Sequence, residues 1–457
     1  MSAPMSPTAG SAQPTIDKGY QRYALLLLMI IYALNMLDRQ IVNILAEPLK
    51  KDLNLADWQV GAVTGLAFAV FYTGLGLPIA RLADRSDRVW LISGSLAIWS
   101  AFTVLCAFVR DFPQLVLARL GVGFGEAGCT PAAHSLIAES TPRNKLASAL
   151  AFYSLGIPIG SLLGLAMGGI IADAFGWRMA FIVAGAPGLI VAVIAFTTLR
   201  EPRRKAKAAS ASKQSQISLS RALTELVRKP SFWWISFATG FGSLVFYSQT
   251  AFMGSLFMRA HTEEVNALAQ SLGMGPSAFL GLSLGLLLGL GSGFGTFAGG
   301  QIADRASRKS IKGYVLVPLV GMLISTPFFI AFNLVDSAVF ALACIVPATF
   351  AHALAYGSVY AAVQSLTSPG VRATAAAVNL FISTIIGLGL GPLAVGALSD
   401  VFAAAHGSTA GLQLAMAWSV VFLLIAAGCF YLAGRTVQKD AHVAAPAPNP
   451  DASQAAG

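Results

Sequence analysis

Twelve apolar runs, each long enough to cross the hydrocarbon core of a bilayer as a helix of about 20 residues, leave this 457-residue chain little choice of fold. They fall near 22 to 46, 58 to 80, 89 to 109, 114 to 138, 147 to 171, 179 to 199, 231 to 258, 277 to 302, 313 to 333, 338 to 366, 373 to 399 and 412 to 433. Inside lipid every backbone N–H and C=O must find its partner within the spanning segment, so runs of this length become helices. The expected fold is an all-α integral membrane bundle of twelve transmembrane helices. Composition agrees: only 11% of residues are charged, against about a quarter in a soluble domain. The first 21 residues are polar, without a small-residue cleavage site after an apolar stretch, so the first run is expected to stay in the mature protein. Cys106, Cys129, Cys344 and Cys429 lie one each in separate runs, with no CxxC and no histidines at metal spacing. They are expected to be small buried hydrophobes, and no metal or cofactor is expected.

Basic residues in the connections set the orientation, because translocation disfavours them. The tails and the connections 81–88, 139–146, 200–230, 303–312 and 367–372 hold 23 of the 30 Lys and Arg residues; the opposite side holds five, and Arg39 and Arg119 lie inside runs. Both termini are therefore expected in the cytoplasm, across a plasma or bacterial inner membrane. The net charge of +10 is scattered over short loops, which argues against nucleic acid and for contact with anionic lipid headgroups.

The two sets of six runs repeat each other. Ala83, Asp84, Arg85 and Arg88 in ARLADRSDR match Ala303, Asp304, Arg305 and Arg308 in GQIADRASR. Pro142, Gly160, Gly164, Gly169 and Asp173 recur 227 residues later as Pro369, Gly387, Gly391, Gly396 and Asp400. Parallel repeats of this kind imply two pseudo-symmetric six-helix bundles, 22–199 and 231–433, with a substrate cavity between them near the midplane. Tails at 1–21 and 434–457 flank them, and a linker at 200–230 joins them. The end of that linker, SLSRALTELVRK, has Leu219, Leu223, Leu226 and Val227 at helical spacing and is expected to lie on the membrane surface.

At the matched Asp-Arg motifs the chain resembles the major facilitator superfamily, whose loop between spans 2 and 3 runs roughly Gly-x-x-x-Asp-Arg-x-Gly-Arg-Arg. The second copy here keeps Gly300, Asp304, Arg305, Arg308 and Lys309; the first has Ala80 and Asp87 at the two glycine positions. The physical reading is a cytoplasmic gate formed by Asp84, Arg85, Arg88, Asp304, Arg305 and Arg308. Asp84 would cap the positive N-terminus of span 11 near Ala373, and Asp304 that of span 5 near Ala147. A narrower resemblance, carried by LDRQIVNILAEPLKKDLNLADWQVGAVTGLAFAVFYTGLGLPIARLADR and ARLGVGFGEAGCTPAAHSLIAESTPRNKLASALAFYSLGIPIGSLLG, is to the spinster-like branch. It covers about a third of the chain. Animal members of that branch export sphingosine phosphate or lysophospholipids, so the resemblance implies proton-coupled movement of an amphiphile.

Four strongly ionisable residues lie within the runs: Asp38 and Arg39 on span 1, Arg119 and Glu126 on span 4. Charges at such depth are costly in lipid, and they normally face the protein interior, pair, and mark a path for substrate or protons. At 1.5 Å per residue, Asp38 lies about 10 Å from the outer end of its helix and Arg119 about 8 Å from that of its own, a matching depth. Arg119 and Glu126 are seven residues apart on one helix face. Asp38 is expected to carry the proton, Arg119 and Arg39 to tune it, and Glu126 to relay it or bind a headgroup. The plainer alternative is a static neutral cluster that fixes packing. In the spinster-like pattern these positions are the coupling residues.

Candidate substrate contacts are Asn35, Tyr72 and Tyr153 on one side, and Tyr247, Tyr356, Tyr360 and Asn379 on the other, with Phe241 and Gln249 nearby. A cavity charged on one side and apolar on the other suits an amphiphile. His134 and His352 are expected to be structural. GFGEAG at 123 to 128 matches a dinucleotide fingerprint, but it lies inside a membrane run with no strand before it, so its glycines point to close helix approach. Gly281, Gly285, Gly289 and Gly293 suggest another packing seam. The leading expectation is a monomeric proton-coupled exporter of a lipid or lysolipid. A transporter of a small organic or aromatic anion is the alternative, and a membrane-embedded lipid enzyme is disfavoured by the lack of a nucleophile elbow or metal cluster.

Overall fold

The computed structural model describes residues 18–74, 86–142, 145–201, 219–368 and 370–441, and among these it contains helices and no strand. Asp84 and Arg85, most of both tails, and the basic start of the linker lie outside the described residues. Nine described helices are long and apolar enough to cross a membrane. The three other expected spans have local reasons for falling short. Span 2 begins as Asp57–Gly61, passes through a π-helical segment at Ala62–Leu66, and is described only to residue 74. Span 4 is broken into Phe112–Glu126 and Cys129–Ser140, directly after its buried acid. Span 7, Pro230–Ala260, is one unbroken helix whose many Ser, Gly and Thr residues dilute its hydropathy.

Span 1 packs along span 5, span 3 on span 6, and span 7 on span 12. Span 5 meets span 8, and span 2 meets span 11. The two ends of the bundle differ. At the end remote from the described termini, backbones of the two halves touch: a Cβ on Gly61 would fall 2.1 Å from the Pro392 carbonyl oxygen, on Gly169 2.0 Å from that of Ser277, and on Gly281 2.1 Å from that of Leu165. Only glycine permits such approach. Toward the terminal end the same helices diverge, since Gly74, Gly289 and Gly293 have nothing within 4 Å of the corresponding point. The expected seam on span 8 is therefore corrected: only Gly281 and Gly285 meet span 5, because the two helices splay apart beyond them. A second seam was not anticipated, in which Gly291, Gly295 and Gly299 face span 10.

The repeat is visible in the backbone. Gly176 and Gly407, with φ of +83° and +84°, turn the chain from span 5 to 6 and from span 11 to 12. Side chains with a Cβ are strained there. π-helical turns occur in span 2 and again at Thr384–Leu390 in span 11, and the two segments lie against each other. The linker ends as a helix, Leu219–Val227, as its pattern implied.

These contacts make a stability prediction. Gly281→Ala is expected to destabilise by about 1–3 kcal/mol through overpacking against backbone that cannot yield. Gly289→Ala, which meets open space, is expected to be neutral or to stabilise by up to about 1 kcal/mol through helix propensity. Thermal unfolding of the two variants side by side checks this.

Candidate functional site

The four ionisable residues of spans 1 and 4 form two pairs. Asp38 and Arg119, both almost wholly buried, lie with Oδ2 3.3 Å from Nη1. Thr103 on span 3 donates to the other Asp38 oxygen at 2.5 Å. Arg39 donates through Nε to Glu126 Oε2 at 2.7 Å. The second pair is the tighter one, and the 3.3 Å separation is long for a charge-assisted bond, which is usually about 2.7–2.9 Å. The second Glu126 oxygen and Arg119 Nε are buried without a partner among the described residues. Such unmet capacity is where a proton, water or ligand group would be accommodated.

Aromatic rings roof the cluster. The Arg39 guanidinium lies 4.6 Å from the Phe68 ring centre and 4.4 Å from that of Tyr72, both on span 2, and Arg119 lies 5.8 Å from Phe68. Arg39 is the accessible member, with its side chain 21% exposed while that of Glu126 is wholly buried. Glycines bring spans 2 and 3 this close. Gly123 abuts the Phe68 backbone, Gly125 that of Trp99 and Gly121 the Phe102 ring, so the dinucleotide-like motif does serve close helix approach.

The candidate contacts divide. Tyr72, Tyr247 and Tyr360 come from both halves and lie near one another, joined by Tyr32, which the sequence did not single out, with Arg39 in reach of Tyr32 and Tyr247. Asn35 is buried with both amide atoms unpartnered among the described residues, and Asn379 with its Oδ1 unpartnered. Tyr153 stacks on Tyr32 at 4.6 Å and meets His134 edge-on. Tyr356 meets His352 edge-on. Two expectations need correction. Gln249 is buried and donates to the Met416 carbonyl and Ser419 on the last span, so it braces two helices rather than facing the cavity. His134 is exposed and its contact is the Tyr153 ring, whereas His352 does bond, to the Gly242 carbonyl at 3.1 Å.

The expected gate at the terminal end is not engaged among the described residues. Asp304, Arg305 and Arg308 are exposed, and the Asp304 carboxylate has no bond among the described residues. Arg88 departs from its assigned role. It is fully buried and bound to Glu139 and the Ser135 carbonyl of the N-terminal half and to Glu201 at the start of the linker. Asp87, at the second glycine position of the motif, instead caps span 3 through the Trp90 N–H.

The engaged latch is at the opposite end, and sequence reasoning missed it. Asp57, before span 2, accepts two bonds from Arg259 at the end of span 7 (2.9 and 2.8 Å), one from Lys50 and one from Ser399 at the end of span 11. Arg259 also holds Glu47. Asp400 accepts from the backbone N–H groups of Asp57 and Trp58, and Asp173 from that of Ala278 at the start of span 8. Asp400 and Asp173 thus each reach from one half onto a helix start of the other. The equal spacing of Asp173 and Asp400 in the repeat was the available signal.

A Major Facilitator Superfamily profile matches residues 28–392. An MFS-type efflux pump of Mycolicibacterium smegmatis is 31% identical over 418 residues, covering 90% of this chain and 92% of that protein. Protein spinster homolog 1 of Mus musculus is 27% identical over 409 residues, covering 84% of this chain and 74% of that protein. A solved bacterial homolog to the human lysosomal transporter Spinster, in an inward-facing and unoccupied conformation, superposes with a TM-score of 0.84 at 32% identity, covering 94% of this chain and 100% of that one. Profile, relatives and superposition agree over nearly the whole length, and the chain belongs to the Major Facilitator Superfamily, in its spinster-like branch.

Proposed function

We propose that this integral multi-pass membrane protein, a secondary transporter working by alternating access, is coupled to protons and exports an amphiphilic lipid or lysolipid. The observation that carries the coupling is the buried double pair, with Asp38 held 3.3 Å from its arginine and a half-partnered Glu126, close to tyrosines that come from both halves. A carboxyl exchanging an arginine partner for a proton as water reaches it would link protonation to the movement of the halves. Asp38 carries the proton, Arg119 and Arg39 tune it, and Glu126 relays it. With the termini in the cytoplasm, closure of the remote end makes this arrangement inward-facing, so the tyrosine-lined cavity receives its substrate from the cytoplasmic side.

The lipid assignment rests on an asymmetry of charge: the ionisable groups come from spans 1 and 4, while spans 7, 10 and 11 offer the neutral Tyr247, Tyr360 and Asn379. The partial exposure of Arg39 beside Tyr72 supports a second reading, in which a small aromatic or other organic anion pairs with it. A thermal-shift screen separates them, since a ligand of the folded state raises apparent stability, by about 2.7 kcal/mol at a hundred times its dissociation constant. Lysophospholipids or sphingoid bases are expected to stabilise the purified protein and small aromatic acids not. Stabilisation by the acids alone, lost in Arg39→Gln, would replace the lipid reading with the anion one.

A further inference from the structure

The linker helix Leu219–Val227 is apolar on two faces. Ala222 and Leu226 are buried against the bundle, while Leu223 and Val227 on the adjacent face are 38% and 66% exposed. Its end is pinned by the Trp233 ring N–H, which donates to the Leu226 carbonyl, and Trp234 beside it is partly exposed. A helix with an outward apolar face next to tryptophans belongs at the membrane–water boundary. Between this helix and the end of span 12 is an open cleft of about 610 Å³, lined by Arg221, Arg228, Lys229, Lys439, Glu225 and Asp440 among others.

The charges in this cleft are unequal in what they have left to offer. Both acids are committed to the protein: Glu225 accepts from the Ser368 N–H, the Ser368 hydroxyl and Lys229, and Asp440 from the N–H and hydroxyl of Ser231. Arg228 and Lys439 line the opening without a partner among the described residues. The cleft is therefore net basic and of ligand-pocket size, on a helix whose exposed leucine and valine suit the membrane boundary.

We propose that this cleft binds the headgroup of an anionic phospholipid, its phosphate held by Arg228 and Lys439. The bound lipid fastens the linker helix to span 12. That helix in turn is tied to the connection between spans 10 and 11, through Glu225 to Ser368 and Lys229 to the Leu366 carbonyl. A lipid site here would thus brace the terminal end of the C-terminal half, apart from the transport cavity.

Thermal unfolding of the purified full-length protein in detergent, with added phosphatidylglycerol, phosphatidylcholine or inorganic phosphate, tests this. Phosphatidylglycerol is expected to raise the midpoint, and the other two are not. Each basic residue near a membrane surface changes binding about fivefold, so Arg228→Gln/Lys439→Gln is expected to weaken the apparent affinity about 25-fold. Both side chains are at the surface, and native mass spectrometry of retained phosphatidylglycerol gives a second readout independent of unfolding. Equal stabilisation by phosphatidylcholine would overturn the proposal in favour of unspecific lipid packing, and stabilisation by phosphate in favour of a soluble anion. An effect that survives the double substitution but is lost in Arg39→Gln would move the lipid to the transport cavity and equally overturn it.

Discussion

Asp38→Asn is expected to abolish pH-gradient-driven flux in proteoliposomes. Asparagine keeps the size and the hydrogen bond from Thr103 but can neither bind nor release a proton, and it leaves Arg119 buried opposite a neutral amide. Removing one member of a buried ion pair destabilises by about 3–5 kcal/mol, so the single variant confounds lost coupling with lost stability. The double variant Asp38→Asn/Arg119→Gln removes both charges and is expected to regain much of the thermal stability while flux stays independent of the gradient. A static packing cluster predicts the contrary for the double variant, namely stability and gradient-driven flux recovering together. Full gradient dependence in either variant would exclude Asp38 as the carrier.

Residues inside apolar runs were the legible part of this site, because a charge in a membrane segment stands out from its surroundings. Depth counting alone put Asp38 level with Arg119, and the structure pairs them. Thr103 and Phe68 escaped notice, since a threonine or phenylalanine in a span is ordinary until its partner is known. Arg88 was misassigned for a related reason. A charge at the first turn of a span looks the same in sequence whether it faces water or, as here, two glutamates. The four-residue spacing of Gly281 to Gly293 defines a stripe but not how far along it a neighbour remains in contact. The remote latch draws its members from four separate connections, so no local pattern announces it. Its matched pair, Asp173 and Asp400, was visible only as a repeat without a partner.

Asp57→Asn is expected to open the end remote from the termini. Asp57 is almost wholly buried, and burial pushes its carboxyl pKa up; bonds and charge from Arg259, with Lys50 and Ser399, outweigh this and bring it down to about 2 from 3.8. A pKa lowered by folding contributes stability that is fully present above about pH 3.8 and is lost only as pH falls through about 2. Between pH 5 and 8 this latch therefore stays charged and closed. Asp57 therefore does not titrate in that range, and the proposed proton coupling would fall to the pairs on spans 1 and 4. Asparagine would leave Glu47 as the one carboxylate on Arg259, remove the ion pair with Lys50 and lose the bonds that Arg259 and Ser399 make to the second Asp57 oxygen. At about 3–5 kcal/mol the loss would shift a two-state equilibrium by on the order of a hundredfold or more toward separation of the halves. Spin labels at exposed Lys51 and Glu263, one from each half, report it, and the four native cysteines are all buried. The unaltered latch is expected to give one short distance, and Asp57→Asn to add a longer one in similar proportion at pH 5 and pH 7. A short distance that persists unchanged in the variant would mean that the glycine contacts between spans 2 and 11 and between spans 5 and 8, rather than the ion pairs, hold this end shut.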